Sequence, residues 1–261
     1  MFSKLYNPAL RAGKTEMLTK DGTTTLYTAE FDEYYHSIKD GALQESLQKH
    51  IIPAFKLCKK DKLTILDICF GLGYNTLSTI YYCKQHSVGT KLHIISPEID
   101  EELVRSLKNF KYPKEFDKLK PIIEAISDNF YYEDESIKVE VLIGDARDSI
   151  KEIKERIDIV YQDAFSPRTN PALWSVEYFS DIKKIASEDI VITTYSIATP
   201  IRLSMHEAGF KVHILPKDKV LSGTIASLKK LDLEEIDMEL KKQRNPKAKA
   251  YRDRDILEAQ Q

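Results

Sequence analysis

The chain has 261 residues, 42% of them hydrophobic and 31% charged, and carries a formal net charge of −2. That is enough apolar material for one large α/β domain with small additions, and the near-balanced charge excludes the global basic field that marks a nucleic-acid binder by composition alone. No run approaches the roughly 20 apolar residues of a membrane helix, and the opening Met1-Phe2-Ser3-Lys4-Leu5-Tyr6 has no signal-peptide core, so the chain is expected in the cytoplasm and off the membrane.

Residues 1–45 read as an extension. Asp21-Gly22 followed by Thr23-Thr24-Thr25 predicts a turn and a small hairpin, and Phe31-Asp32-Glu33-Tyr34-Tyr35-His36-Ser37 is dense in aromatic and titratable groups. Residues 46–230 alternate β-branched runs with helical patterns. Strands are predicted at 64–70, 91–96, 139–143, 157–161 and 189–195, with helices after Asn75, at 101–109 and at 200–208. Such alternation builds a parallel sheet with right-handed crossovers. Residues 210–215 and 224–228 are too close for a crossover helix and predict a closing hairpin. The expected fold is therefore a seven-stranded, mostly parallel α/β sheet with a terminal antiparallel hairpin strand, the arrangement of class I (Rossmann-like) methyltransferases. Residues 231–261 read as a charged tail, with 241–249 as a solvated basic arm. Cys58, Cys69 and Cys83 match no zinc spacing and are expected to be reduced and structural, Cys69 within a strand; no metal site is expected.

Candidate chemistry collects at the predicted strand ends. Asp67-Ile68-Cys69-Phe70-Gly71-Leu72-Gly73-Tyr74-Asn75-Thr76 is a strand, a two-glycine turn and a helix start. Gly71 and Gly73 let backbone approach a ligand at the helix N-terminus, and Asn75 or Thr76 is placed to cap it. Glu98, 25 residues beyond Gly73, ends the second strand and suits ribose hydroxyls; Asp145 ends the third and suits an adenine amino group. Each acid taken alone also reads as a solvated strand end or a helix cap. Together with Asp163 on the fourth strand they fit S-adenosyl-L-methionine or an NAD-type nucleotide. The missing third glycine and the closing hairpin favour the former.

The segments 21–27, 31–37 and 70–76, and Asp163-Ala164-Phe165-Ser166-Pro167 with Asn170-Pro171 and Leu173-Trp174, resemble the methyltransferase half of the bifunctional enzymes that make 5-methylaminomethyl-2-thiouridine in tRNA. The resemblance spans about residues 15–230. Those enzymes continue into an FAD-dependent oxidoreductase, which these residues do not contain, so a stand-alone methyltransferase is expected. The resemblance implies methyl transfer from S-adenosyl-L-methionine to the primary amine of 5-aminomethyl-(2-thio)uridine at the wobble position. It also implies that tRNA is the partner and that separate enzymes supply the aminomethyl group and the 2-thiolation.

Under that reading Asp163 also belongs to the cofactor pocket, accepts a hydrogen bond from the amine and is placed to receive its proton. Phe165 offers the extruded base a stacking face, and Pro167 and Pro171 stiffen the loop. Trp174 reads as a loop anchor. Glu33, Tyr35 and His36 form a lid over the cofactor, or else simply cover a sheet edge. Lys217 and Lys219, with Lys229, Lys230 and the basic arm, contact phosphates or form a solvated face. An aminopropyltransferase resembling spermidine synthase and a non-catalytic nucleotide- or RNA-binding module remain as alternatives.

Overall fold

The computed structural model describes residues 13–86, 88–215 and 222–259. Strands β1 (Lys14–Leu18), β2 (Thr24–Thr28) and β3 (Glu33–Tyr34) form a small antiparallel sheet in that order. Its first turn is fastened by Asp21, whose Oδ1 accepts from the Thr23 amide at 3.0 Å and from the Thr19 hydroxyl at 2.7 Å, while Gly22 supplies φ 82°. Helix α1 (Ala42–Glu45) runs through a π-helical stretch, Ser46–Ile51, into α2 (Ile52–Leu57). One helical run therefore crosses the expected boundary at residues 45–46.

The main sheet follows: β4 (Lys62–Ile68), α3 (Tyr74–Gln85), β5 (Lys91–Glu98), α4 (Glu101–Ser106), α5 (Lys120–Asn129), β6 (Tyr131–Glu133), β7 (Ile137–Ile143), α6 (Ala146–Glu152), β8 (Ile157–Gln162), α7 (Val176–Ile185), β9 (Ala186–Thr194), α8 (Thr199–Glu207), β10 (Lys211–Ile214) and β11 (Thr224–Ser227). The spatial order is β10-β11-β9-β8-β4-β5-β7-β6, with β7-β5-β4-β8-β9 all parallel and β11 antiparallel to both its neighbours. The closing hairpin is thus as expected. An eighth strand, β6, lies antiparallel at the far edge. Two tyrosines and a glutamate carry too little alternation to announce a strand; α5 ends at Phe130 with φ 60°, and that reversal lays β6 along β7.

Successive residues on the central strands face opposite cores. Ile65, Ile94, Val139 and Ile159 pack on one side, and Leu66, Ile95, Val160 and Ile192 on the other. Burial on both faces explains why these strands read as continuous apolar runs. The chain leaves β4 for β5 on one side and returns through β8 on the other, so the carboxyl ends of β4 and β8 flank the switch point where ligands bind in open α/β sheets.

The charged tail is docked. Its lysines 242, 247 and 249 are exposed, but α9 (Met238–Arg244) and α10 (Asp253–Glu258) bury Met238 and Ile256 against the domain. The pattern of charges conceals this because a few apolar residues suffice to dock short helices. Asp253 takes both Arg147 Nη atoms, at 2.8 and 3.0 Å, and the Ser175 hydroxyl at 2.6 Å. Asp253→Ala is expected to destabilise the protein by about 1.5–3 kcal/mol, Asp181 at 3.8 Å remaining to Arg147; urea unfolding checks this. Among the described residues no helix is long and apolar enough to cross a membrane.

Candidate active site

A cavity of about 780 Å3 opens at the carboxyl ends of β4, β5, β7 and β8, roofed by residues 31–37. Its volume lies within the range of small-molecule sites. The floor is the turn from β4 into α3, where Cys69, Gly71 and Gly73 have φ of 65°, 54° and 69°. Cys69 therefore stands just beyond the strand in a left-handed conformation, a strained geometry for a side-chain-bearing residue. Its thiol is pushed far up by burial and by Glu98 and Asp163 nearby, so it is no nucleophile at neutral pH.

The two glycines serve different ends. Gly71 lines the cavity, donates its N–H to Glu98 Oε2 at 2.7 Å and lies under the Tyr35 ring, which would be 3.2 Å from an added Cβ. Gly73 does not line the cavity. It begins α3 in the left-handed region, and a Cβ there would lie 2.9 Å from Phe70 Cζ, so glycine is required by the turn rather than by approach of a ligand. Nor do Asn75 and Thr76 cap the helix, which has no side-chain cap. Thr76 donates to Asp67 Oδ2 at 2.8 Å, and Asn75 Nδ2 donates to Asp163 Oδ2 at 2.8 Å and to Asp67 Oδ1 at 3.3 Å. Both side chains turn toward the carboxylates because the positive-φ turn starts the helix beneath the ends of β4 and β8.

Glu98 and Asp145 stand at the ends of the adjacent strands β5 and β7 and line one wall. Glu98 accepts backbone N–H from Gly71 and, at 2.8 Å, from Asp100. Burial raises its carboxyl, opposed by those two hydrogen bonds. Asp145 is both a wall residue and the N-cap of α6, its Oδ1 accepting from the Arg147 amide at 2.8 Å.

Asp163, the first residue beyond β8, is the centre of a buried polar chain. His50 Nε2 lies 3.5 Å from its Oδ1, and Asn75 holds its Oδ2. Burial disfavours its charge, yet His50, then His36 and Asn75, outweigh burial and hold the carboxyl below the usual range. Neighbouring Asp67 shows the reverse. It is wholly buried and its pKa is pushed up to about 7. His36, also at the cavity, has its pKa lowered by burial, against the opposite pull of Glu45 and Asp163.

The roof grips the loop after β8. Glu33 lines the cavity, but its oxygens are taken by the Ser166 amide at 3.0 Å, the Ser166 hydroxyl and the Thr169 hydroxyl at 2.5 Å, so it ties lid to loop instead of presenting a free carboxylate to the cofactor. Phe165 lies between Phe31 and Tyr35, with ring centroids 5.4 and 5.1 Å away. Pro167 is outside the cavity lining and shapes the turn in which Thr169 and Asn170 donate to the Ser166 carbonyl. Trp174 is fully buried and donates Nε1–H to the Phe165 carbonyl at 2.8 Å, the anchoring role expected of it. Lys217 and Lys219 lie outside the described residues. His50 carried no sequence signal beyond being one histidine in a helical run.

The sheet order and the cavity at its switch point define a class I S-adenosyl-L-methionine-dependent methyltransferase. Residues 111–225 match a family described as S-adenosyl-L-methionine-dependent methyltransferase. The crystal structure of MnmC2 from Aquifex aeolicus superposes with a TM-score of 0.81 at 33% identity, over 95% of this chain and 81% of that one. The chain belongs to the methyltransferase family of MnmC2. An uncharacterized protein of Methanocaldococcus jannaschii is 30% identical over 74% of this chain and 53% of its own length. The tRNA 5-methylaminomethyl-2-thiouridine biosynthesis bifunctional protein MnmC of Pseudomonas fluorescens is 30% identical over 71% of this chain and 30% of its own. The chain thus spans about half or less of these curated relatives.

The residues fit the cofactor of this class. Glu98 and Asp145 form one wall, and the Asn75 Oδ1, on a cavity-lining residue, is buried without a hydrogen-bond partner among the described residues, an acceptor that a bound group's donor would satisfy. Removing Glu98 deletes a carboxylate acceptor from the cavity wall and releases the Gly71 amide. Glu98→Ala is therefore expected to weaken S-adenosyl-L-methionine roughly 10–100-fold by calorimetry, and Gly73→Val to weaken it through distortion of the turn. Unchanged affinity in both variants would remove the cofactor from this wall.

Proposed function

We propose that this chain methylates the primary amine of 5-aminomethyl-(2-thio)uridine at the wobble position of tRNA, giving 5-methylaminomethyl-(2-thio)uridine. The observation that carries the reading is Asp163: a carboxylate at the cavity held below the usual carboxylate range, with Asn75 bonded to one oxygen and His50 3.5 Å from the other, beside a half-buried aromatic ring. Similarity to MnmC proteins supports the same substrate class.

S-adenosyl-L-methionine, when bound, supplies an electrophilic methyl group on a sulfonium centre. Glu98 and Asp145 would hold its nucleoside end. An alkylammonium has a pKa near that of lysine, about 10.4, and no lone pair while protonated. Asp163 attracts and orients that nitrogen. With a carboxyl below the ordinary range it is a poor keeper of the amine's proton, so the proton passes to solvent and Asp163 aims the freed lone pair. Phe165 offers the extruded base a ring once the aromatic cover of Phe31 and Tyr35 parts. The tRNA is then the partner, and separate enzymes provide the aminomethyl group and the thiolation.

Aminopropyl transfer to a polyamine needs several free carboxylates. Here Glu45 and Asp40 are paired with Lys49, at 2.7 and 3.2 Å, and Glu33 is engaged by the loop. The test is incubation of the protein and S-adenosyl-L-methionine with tRNA carrying 5-aminomethyluridine, followed by nucleoside mass spectrometry. Gain of one methyl on that nucleoside is expected; no gain, or aminopropyl transfer to a polyamine, would overturn the reading.

A further inference from the structure

Behind Asp163 lies a histidine that the proposed chemistry leaves unused. His50 belongs to the π-helical stretch Ser46–Ile51, and the wider turn of such a stretch, a feature that recurs at functional sites, sets its ring against the ends of β8 and β9. It has no solvent exposure. Its Nδ1 is 2.9 Å from the Thr193 hydroxyl, its ring meets Tyr161 edge-on at 5.6 Å, and its Nε2 makes no hydrogen bond within the usual limit, the Asp163 Oδ1 at 3.5 Å being its ion-pair neighbour. A ring lone pair pointed at a carboxylate would be repelled. The Thr193 hydroxyl lies 2.9 Å from Nδ1 and 3.5 Å from the Val160 carbonyl. With its one proton on the shorter contact the ring is neutral, accepting at Nδ1 with Nε2–H toward Asp163, and the alternative is an imidazolium, so both place a proton on Nε2.

We propose that His50 is a positioning residue for Asp163: through Nε2–H on one oxygen, opposite Asn75 on the other, it sets the plane of the carboxylate that receives the amine. The inference rests on the reading of Asp163 as the amine-holding group. His36 from the roof, Asp67 from β4, Cys69 from the glycine turn and Tyr195 beyond β9 also face Asp163. Of the described residues around it, His50 is the one that is fully buried, oriented at its far nitrogen and aimed at Oδ1.

Two substitutions separate positioning from packing. Glutamine places an amide nitrogen where Nε2 was, toward Asp163, whereas asparagine reaches only the Nδ1 position, toward Thr193. His50→Gln is expected to keep single-turnover methyl transfer within about threefold, and His50→Asn to lower it on the order of 10–100-fold, with KM for tRNA and cofactor affinity unchanged. Thr193→Val, which frees the ring, is expected to lower the rate in the same direction with the same constants unchanged. A substrate-free measurement runs in parallel: carboxyl 13C titration of aspartate-labelled protein, with Asp163 assigned through Asp163→Asn. The Asp163 midpoint should rise in His50→Asn and stay near wild type in His50→Gln. Equal rate losses in the two His50 variants, a loss confined to KM, or one midpoint in all proteins would overturn the inference. If wild-type protein does not methylate aminomethyl-tRNA, the substrate reading falls, and the titration alone decides the role of His50.

Discussion

Replacing Asp163 with asparagine is expected to lower methyl transfer on the order of 10²–10³-fold while cofactor affinity changes little. The exchange keeps the volume and one accepting oxygen but removes the negative charge to which the proposed mechanism gives the task of drawing the amine into place. It also turns an amide toward a shell built of donors, Asn75 and His50. Single-turnover methylation of aminomethyl-uridine tRNA, with calorimetry of S-adenosyl-L-methionine, reads the two effects separately. The wild-type rate should rise with pH as the amine loses its proton. No limb from Asp163 should appear between about pH 5 and 8, since its carboxyl titrates below the ordinary range and is already ionised throughout. A variant rate near wild type would reduce Asp163 to the end of a strand.

Trp174→Ala is expected to cost about 3–5 kcal/mol of stability, a large share of what a domain of this kind possesses. The indole is fully buried, meets Tyr195 edge-on at 5.9 Å and holds the Phe165 carbonyl. Next to it Gln162 donates to the Leu173 carbonyl at 2.9 Å and accepts from Tyr178 at 2.7 Å, so the loop that carries Phe165 is fastened at both ends. Urea unfolding measures the loss. Trp174→Phe retains most of the packing and removes the hydrogen bond, so its smaller destabilisation isolates the bond, and its effect on methyl transfer reports how far the position of Phe165 depends on it. A loss below about 1 kcal/mol for Trp174→Ala would show the loop to be held elsewhere.

The roof carries a simpler consequence of the same geometry. Glu33 reaches a loop 133 positions away, and it was the contact with Ser166 and Thr169, not proximity in the chain, that assigned its oxygens. Local patterning is blind to such pairs because it records what a residue type favours, while a hydrogen bond records where the fold brings two residues. The same holds for Gly73. A glycine before a helix reads alike whether a ligand or the Phe70 ring occupies the space beside it.

What the sequence determined by itself was the frame. Runs such as Thr64-Ile65-Leu66 and Ile157-Asp158-Ile159-Val160 are strands wherever they are met, since β-branched chains buried on two faces have few other solutions, and the short link near residue 216 required a hairpin. Asp163 was visible too, because a carboxylate between an apolar run and a proline-rich loop stands at a strand exit. The edge strand β6, the docking of the charged tail and the conversion of the Cys69 position from strand to left-handed turn were decided by the tertiary structure. So was the pairing of His50 with Asp163. Each depends on packing between segments distant in sequence, where the free energy resides in the contact and no single segment carries its mark.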